Sequence, residues 1–152
     1  MVMIIFNTGI RDKGAGSSIM PISTETREEL DLTILTATGE APFSELMQAM
    51  ESFYTGSPTA NLIWDCSQVT EINILNRELQ TIVQYAKKHS DKRAGGQTAL
   101  VANSSLKFGL ARMTSIFAEL VGLPWEMKIF KNLDAAMAWI KERRQAEAQI
   151  KN

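Results

Sequence analysis

Along this chain, segments whose hydrophobic residues have the spacing of a β-strand alternate with segments whose hydrophobic residues have the spacing of an α-helix. Segments of one kind are short and either alternate apolar with polar residues or form a compact apolar run, which predicts β-strands. A weaker strand is predicted within 19–28, with a turn at 28–31 between it and the next strand. The clearer strand segments are 30-LDLTILTA-37, 61-NLIWDC-66, 98-TALVA-102 and 126-EMKIF-130.

Segments of the second kind place apolar residues at helical spacing, and each follows one of these strands. Strands that alternate with helices are typical of a largely parallel sheet. The order therefore predicts an α/β fold in residues 20–152. Its mixed, mostly parallel sheet would have about five strands, about four helices and an N-terminal hairpin. The predicted helices are 42-PFSELMQAMESFY-54, 72-INILNRELQTIVQYAKKH-89, 103-NSSLKFGLARMTSIFAEL-120 and 133-LDAAMAWIKERRQAEAQI-150.

Residues 1–19 differ from the rest and are predicted to be an extension of the domain. The apolar run 2-VMIIF-6 is followed by 9-GIRDKGAGSS-18, a stretch rich in glycine and charge that is typical of a loop or linker. Two interpretations stay open. The arm is an added strand that pairs with a sheet edge or with a second subunit in a homodimer, or it is an upstream extension with Met20 as an alternative start.

The composition excludes several classes of protein. With 16 basic and 17 acidic residues the net charge is −1, which argues against a nucleic-acid-binding protein. Cys66 is the single cysteine, so no intramolecular disulfide can form, and a reducing, cytoplasmic location is expected. The opening apolar run is too short for a signal sequence, and no apolar run approaches the roughly 20 residues of a membrane span.

Two stretches carry a resemblance to a known family. They are 98-TALVANSSLKFGLARM-113 and 123-LPWEMKIFKNLDAAMAWI-140, supported by Trp64-Asp65 and Val69-Thr70. Together they resemble the bacterial SpoIIAA-like proteins, which are stand-alone members of the STAS fold (sulfate transporter and anti-sigma-factor antagonist). The resemblance covers roughly residues 20 to 143 and leaves the arm unexplained.

The resemblance has two implications for function. Anti-sigma antagonists of this fold carry an Asp-Ser-Ser-Gly whose serine is phosphorylated, and the matching residues here are Asn73, Ile74, Leu75 and Asn76. Because the acceptor hydroxyl is absent, a phosphoserine switch is not expected at this point. SpoIIAA-like proteins are also similar to the CRAL-TRIO lipid-transfer domains, which hold an apolar ligand between helices and sheet. The leading hypothesis is thus a non-enzymatic module for a small amphiphilic or lipid-like ligand, with possible peripheral membrane contact.

The candidate ligand site lies at the start of the third helix. Leu106, Leu110, Met113, Phe117 and Leu120 form one stripe, which predicts the buried face of this helix. Outside that stripe, hydroxyls, an aromatic ring and a guanidinium would lie beside the free backbone N–H groups at the start of the helix. This apolar and cationic pocket entrance would lie beyond the carboxyl end of a strand, where ligands of open α/β sheets bind. The alternative is that Phe108 covers a loop and Arg112 pairs with Glu119 or Glu126. The predicted site residues are Ser104, Ser105, Phe108 and Arg112.

A regulatory protein–protein interaction module is the second hypothesis. Its contact residues would be Asp65, Ser67, Asn73 and Asn76, in the loop from Asp65 to Asn76. An enzyme built on Cys66 lacks a convincing base, because the only histidine, His89, lies at the far end of the next helix. One histidine and one cysteine without clustered carboxylates predict no metal site, and no cofactor-binding motif is present.

Overall fold

The computed structural model describes residues 2–6 and 22–151. These residues form an α/β fold with one six-stranded sheet and four helices. The predicted loop at 9–18 and the alternative start at residue 20 lie outside the described residues. The strands are β1 (Val2–Phe6), β2 (Ile22–Arg27), β3 (Leu32–Glu40), β4 (Asn61–Glu71), β5 (Gln97–Val101) and β6 (Glu126–Phe130), and the helices are α1 (Phe43–Thr55), α2 (Asn76–Lys88), α3 (Ser105–Val121) and α4 (Leu133–Lys151).

The strands lie side by side in chain order, from β1 at one edge to β6 at the other. β1 pairs antiparallel with β2, and β2 pairs antiparallel with β3 through a 3₁₀ turn at Glu28–Leu30. From β3 to β6 all pairings are parallel. The predicted mixed sheet with an N-terminal hairpin is therefore confirmed, and β1 adds a sixth strand on the hairpin side.

Helices cover the two faces of the sheet unequally. Parallel strands added always in the same direction place their right-handed crossover helices on one face. One core cluster accordingly joins Leu35 and Leu62 of the sheet to Phe53 of α1 and Ala86 of α2. The second cluster, on the opposite face, joins the sheet to α4 alone, through Leu32, Ile34, Ile63, Ala99, Val101, Ala136, Met137 and Ile140.

β4 is longer than the sequence pattern predicts because it continues through a bulge to Glu71. Its register with β3 changes from Thr36 opposite Asp65 to Thr38 opposite Gln68, so β4 carries one extra residue there. The extra residue reverses the alternation of side chains, which explains why Leu62 and Val69 are buried in the same cluster.

α2 begins at Asn76, four residues later than predicted, and 72–75 form a loop. The helix starts where the Glu78 carboxylate accepts a hydrogen bond of 2.8 Å from the backbone N–H of Leu75. Leu75, the residue just before the helix, is 45% exposed. Among the described residues, no helix combines the length and the apolar character that crossing a membrane requires.

Candidate functional site

A cavity of about 160 Å³ lies between the sheet and the layer formed by α1, α2 and α3. Its walls are mostly aliphatic and aromatic side chains. An engineered apolar cavity of about 150 Å³ accepts benzene, so this volume suits a small ring or a short alkyl group. The apolar lining includes Met50, Leu62, Trp64, Val69, Ile72, Ile74, Leu79, Ile82, Val83, Leu110, Ala111 and Leu123.

Polar groups close the cavity at the end where the parallel strands finish, which we call the carboxyl end. The half-buried Lys107, on the first turn of α3, lines the cavity. Its ammonium donates to the backbone oxygen of Ser67 at 3.1 Å and to the Asn103 side-chain oxygen at 3.0 Å. The Asn103 amide donates to the same Ser67 oxygen at 3.1 Å. The start of α3 is thereby tied to the β4 bulge.

Asp65 supports this end of the cavity from the opposite face of the sheet. It is 5% exposed, and one carboxylate oxygen accepts hydrogen bonds from both the backbone N–H and the hydroxyl of Ser67, at 3.0 and 2.7 Å. A buried carboxylate held in this way orders the bulge and offers little surface to a partner.

The opposite, amino end of the cavity contains a buried guanidinium. Arg93 is 1% exposed and lines the cavity just before β5. Its Nε donates to the backbone oxygens of Thr59 and Ala60, and its Nη2 donates to the Ala60 oxygen. Nη2 also donates to the backbone oxygen of Gln97 and to the hydroxyl of Thr98, at 3.0 and 2.8 Å.

Aromatic side chains surround this guanidinium. The Trp125 ring lies 4.2 Å from the Arg93 Cζ, in cation–π contact, and Phe53 lies at 5.7 Å. The hydroxyl of the fully buried Tyr54 accepts from Arg93 Nη1 at 3.4 Å. Burial raises the pKa of Tyr54, and the nearby guanidinium opposes that shift, so the phenol is protonated at neutral pH.

The four residues predicted from the start of α3 lie outside the cavity wall. Ser104 is the N-cap of α3, and its hydroxyl accepts from the Lys107 backbone N–H at 3.3 Å. Ser105 is exposed, and Phe108 is 40% exposed. The Arg112 guanidinium lies 6.0 Å from the Phe108 ring, while Glu126 pairs with Arg143. The cation that reaches the cavity from this helix is Lys107.

The predicted buried stripe of α3 is wrong for Leu106 and Leu120, while its member Leu110 does line the cavity. Leu106 is 61% exposed and Leu120 is 77% exposed, whereas Ala111 and Ala118 are buried. The face toward the sheet is formed by Lys107, Leu110, Ala111, Thr114 and Ala118. It lies roughly a quarter turn from the predicted stripe, at 100° per residue. Small side chains on this face allow the helix to approach the sheet closely.

The loop between β4 and α2 divides its side chains between solvent and cavity. Asn73 and Asn76, both predicted to contact a partner, are exposed. Ile72 and Ile74 line the cavity instead. The predicted interaction loop is therefore also part of the cavity wall.

Cys66 and His89 lie at opposite ends of this layer. Cys66 lines the cavity from the middle of β4, and burial raises the pKa of its thiol to about 11, so it is protonated at neutral pH. The His89 ring stacks on Tyr54, with centroids 5.6 Å apart, and lies tilted against Tyr85, with centroids 4.4 Å apart. Its Nδ1 is 3.1 Å from the backbone oxygen of Tyr85. The two side chains form no nucleophile–base pair.

Arg93 is the main residue that sequence reasoning missed. It stands in 90-SDKRAGGQ-97, where two charged neighbours, Asp91 and Lys92, suggest a solvated turn. The one available signal is the glycine pair after it. A Cβ at Gly96 would lie 1.9 Å from the backbone oxygen of Ala60, and Gly95 has φ of +84°. The two glycines let the loop backbone approach Ala60 closely, and the backbone oxygen of Ala60 also accepts hydrogen bonds from the Arg93 guanidinium.

Comparison of the chain with protein-family models, with curated proteins and with solved structures gives no match. The SpoIIAA-like resemblance thus stays a prediction, while the α/β architecture is described by the structure itself.

Proposed function

We propose that this protein is a non-enzymatic binding module that holds a small amphiphilic or lipid-like ligand between its sheet and α1–α3. The observation that carries the proposal is the apolar cavity of about 160 Å³ with a cation at each end, Lys107 and Arg93. Empty apolar space lowers stability because the lining atoms lose contacts. An occupant that restores those contacts would stabilise the fold.

The volume restricts the ligand to a small one. Drug-sized molecules occupy roughly 300–1,000 Å³, about two or more times the space present here. A ring of the size of benzene, or a short alkyl chain, fits this cavity. A long-chain lipid would require α3 or the 72–75 loop to move outward.

Toluene is a suitable first probe because it is apolar and close to benzene in size. We expect it to bind, with NMR shifts of methyl groups that line the cavity, such as those of Leu79 and Val83. Ala111→Leu projects a larger side chain into the cavity and should weaken toluene binding about tenfold or more. Ala138→Leu, at an exposed position of α4, is the matched control and should bind like the wild type.

Two further results bear on the proposal. Native and denaturing mass spectrometry of freshly purified protein should show an added mass that denaturation releases and an organic extract identifies. If neither toluene nor any small carboxylate shifts the methyl resonances, the cavity is not a binding site and the proposal fails.

A regulatory interaction module is the second candidate, favoured by the exposed apolar residues of α3. Leu106, Ile116 and Leu120 are 61, 50 and 77% exposed, and Ile116 and Leu120 lie one turn apart on the same side of the helix. A second copy of the chain is the occupant we would test. Sedimentation at high concentration should then show a dimer that Leu120→Lys dissociates, and a monomeric wild type would remove this candidate.

A further inference from the structure

Arg93 carries a buried positive charge that forms no ion pair with a carboxylate of the described residues, and Asp31 acts on it only from beyond ion-pair distance. It is 1% exposed, and none of the ion pairs formed among the described residues includes it. Its hydrogen-bond acceptors are three backbone oxygens and two hydroxyls. Such acceptors reduce the cost of burying a guanidinium, but they leave a net charge in the core, and buried charges are ordinarily paired.

Donor hydrogens remain in excess around this charge. A guanidinium has five N–H groups. The two on Nη1 have one hydrogen-bond acceptor between them, the Tyr54 hydroxyl at 3.4 Å. That hydroxyl accepts from Arg93, and no hydrogen bond among the described residues uses its own proton. The Trp125 Nε1–H is buried without an acceptor in the described part of the chain. All three side chains line the cavity.

We propose that the cavity takes a small monocarboxylate, with its carboxylate at the amino end among Arg93, Tyr54 and Trp125 and its apolar body toward α2 and α3. The inference rests on the proposed function and names the chemical class of the ligand. A carboxylate only accepts hydrogen bonds and offers about four lone-pair sites. It therefore suits a cluster in which donors of Arg93, Tyr54 and Trp125 lack acceptors. Its single negative charge cancels the single charge of Arg93.

Charge balance also separates this ligand from a phosphate. A phosphate monoester carries nearly two negative charges at neutral pH, so beside the single charge of Arg93 it would leave the core with a net negative charge. Lys107 is a weaker anchor for the carboxylate, because its ammonium already donates to Ser67 and Asn103 at the surface end.

Arg93 also has a structural role, since it ties residues 59 and 60 to the start of β5. The test therefore leaves Arg93 in place and removes the other two donors. Trp125→Phe and Tyr54→Phe each delete one N–H or O–H and keep an aromatic ring against the guanidinium. Neither change touches a hydrogen bond between Arg93 and the backbone.

Benzoate, toluene and phenyl phosphate are matched probes with one ring and different heads, and calorimetry would measure their affinities at pH 7. We expect benzoate to bind about tenfold or more tighter than toluene, since a hydrogen bond to a charged group outweighs a neutral contact. Trp125→Phe and Tyr54→Phe should each weaken benzoate several-fold or more, and by a larger factor than they weaken toluene. Phenyl phosphate should bind more weakly than benzoate.

The indole N–H resonance gives a readout that a purely structural role would not change. Benzoate should shift the Trp125 Nε1–H signal, assigned by its loss in Trp125→Phe, and leave that of Trp139 unchanged. Toluene binding without preference for benzoate would overturn the carboxylate assignment and leave the proposed function standing. The assignment is equally overturned if neither variant binds benzoate more weakly than the wild type does, or if phenyl phosphate binds more tightly than benzoate.

Discussion

Gln97 shows how a single buried residue can oppose the stability of this fold. It is 1% exposed, and neither its side-chain Nε2 nor its Oε1 has a hydrogen-bond partner among the described residues. Its backbone is fully used, with the N–H donated to Asn61 and the oxygen accepting from Arg93. A buried amide that makes no hydrogen bond costs about 1–3 kcal/mol relative to an apolar group of the same shape.

Gln97→Met should therefore stabilise the protein, because methionine has nearly the same length and no group to satisfy. We expect the free energy of unfolding to rise by about 1–2 kcal/mol, measured by urea denaturation. Gln84→Met, at an exposed position of α2, is the control and should change it by less than about 0.5 kcal/mol. A loss of stability at position 97 would mean that the amide is satisfied by an ordered water.

At the scale of an element, α3 is the place where a sequence pattern and the packing disagree. Its largest aliphatic residues mark one face, but the face that meets the sheet is the one with Ala111, Thr114 and Ala118. A hydrophobic pattern weights residues by size, whereas close packing of a helix on a sheet favours small side chains. The rotation of this helix could not be read from periodicity for that reason.

Two substitutions of α3 test its orientation. Ala118→Leu should lower the free energy of unfolding by about 1–3 kcal/mol, because Ala118 is 5% exposed and does not line the cavity, so three more carbons would have to displace packed neighbours. Leu120→Ser should change it by less than about 0.5 kcal/mol, because Leu120 is 77% exposed. If urea denaturation shows a larger loss of stability for Leu120→Ser than for Ala118→Leu, the stripe that contains Leu120 is the buried face after all.

Other elements were predictable because their burial leaves an unambiguous pattern. Strands β4 and β5 are covered on both faces and appear in the sequence as the compact apolar runs 61–66 and 98–102. The β4 bulge breaks the alternation after Cys66, so the end of β4 and the start of α2 were misplaced. The four residues predicted after the strands do not line the cavity. Arg93 could not be predicted, because burial of an arginine depends on acceptors distant in sequence.

For the whole molecule, the two faces of the sheet differ in how completely they are filled. On the α4 face, Ala136 and Ile140 are 0% exposed and pack directly on the sheet. On the other face the cavity of about 160 Å³ deprives α2 and α3 of contacts. Local opening should therefore cost less free energy in the α1–α3 layer than in the first turns of α4, because opening free energies follow the local density of buried contacts.

Native-state hydrogen exchange would measure this difference directly. Without ligand, the amides of α3 should exchange faster than those of β4, β5 and Leu133–Ile140. A ligand at a hundred times its dissociation constant adds about 2.7 kcal/mol to every opening that destroys the cavity. Protection of α3 should then increase by up to about a hundredfold. The ligand should not raise the free energy of openings that are confined to α4, because those openings leave the cavity intact. If ligand-free α3 is as protected as the start of α4, the cavity does not weaken its layer, and the ligand would have to be sought elsewhere on the molecule.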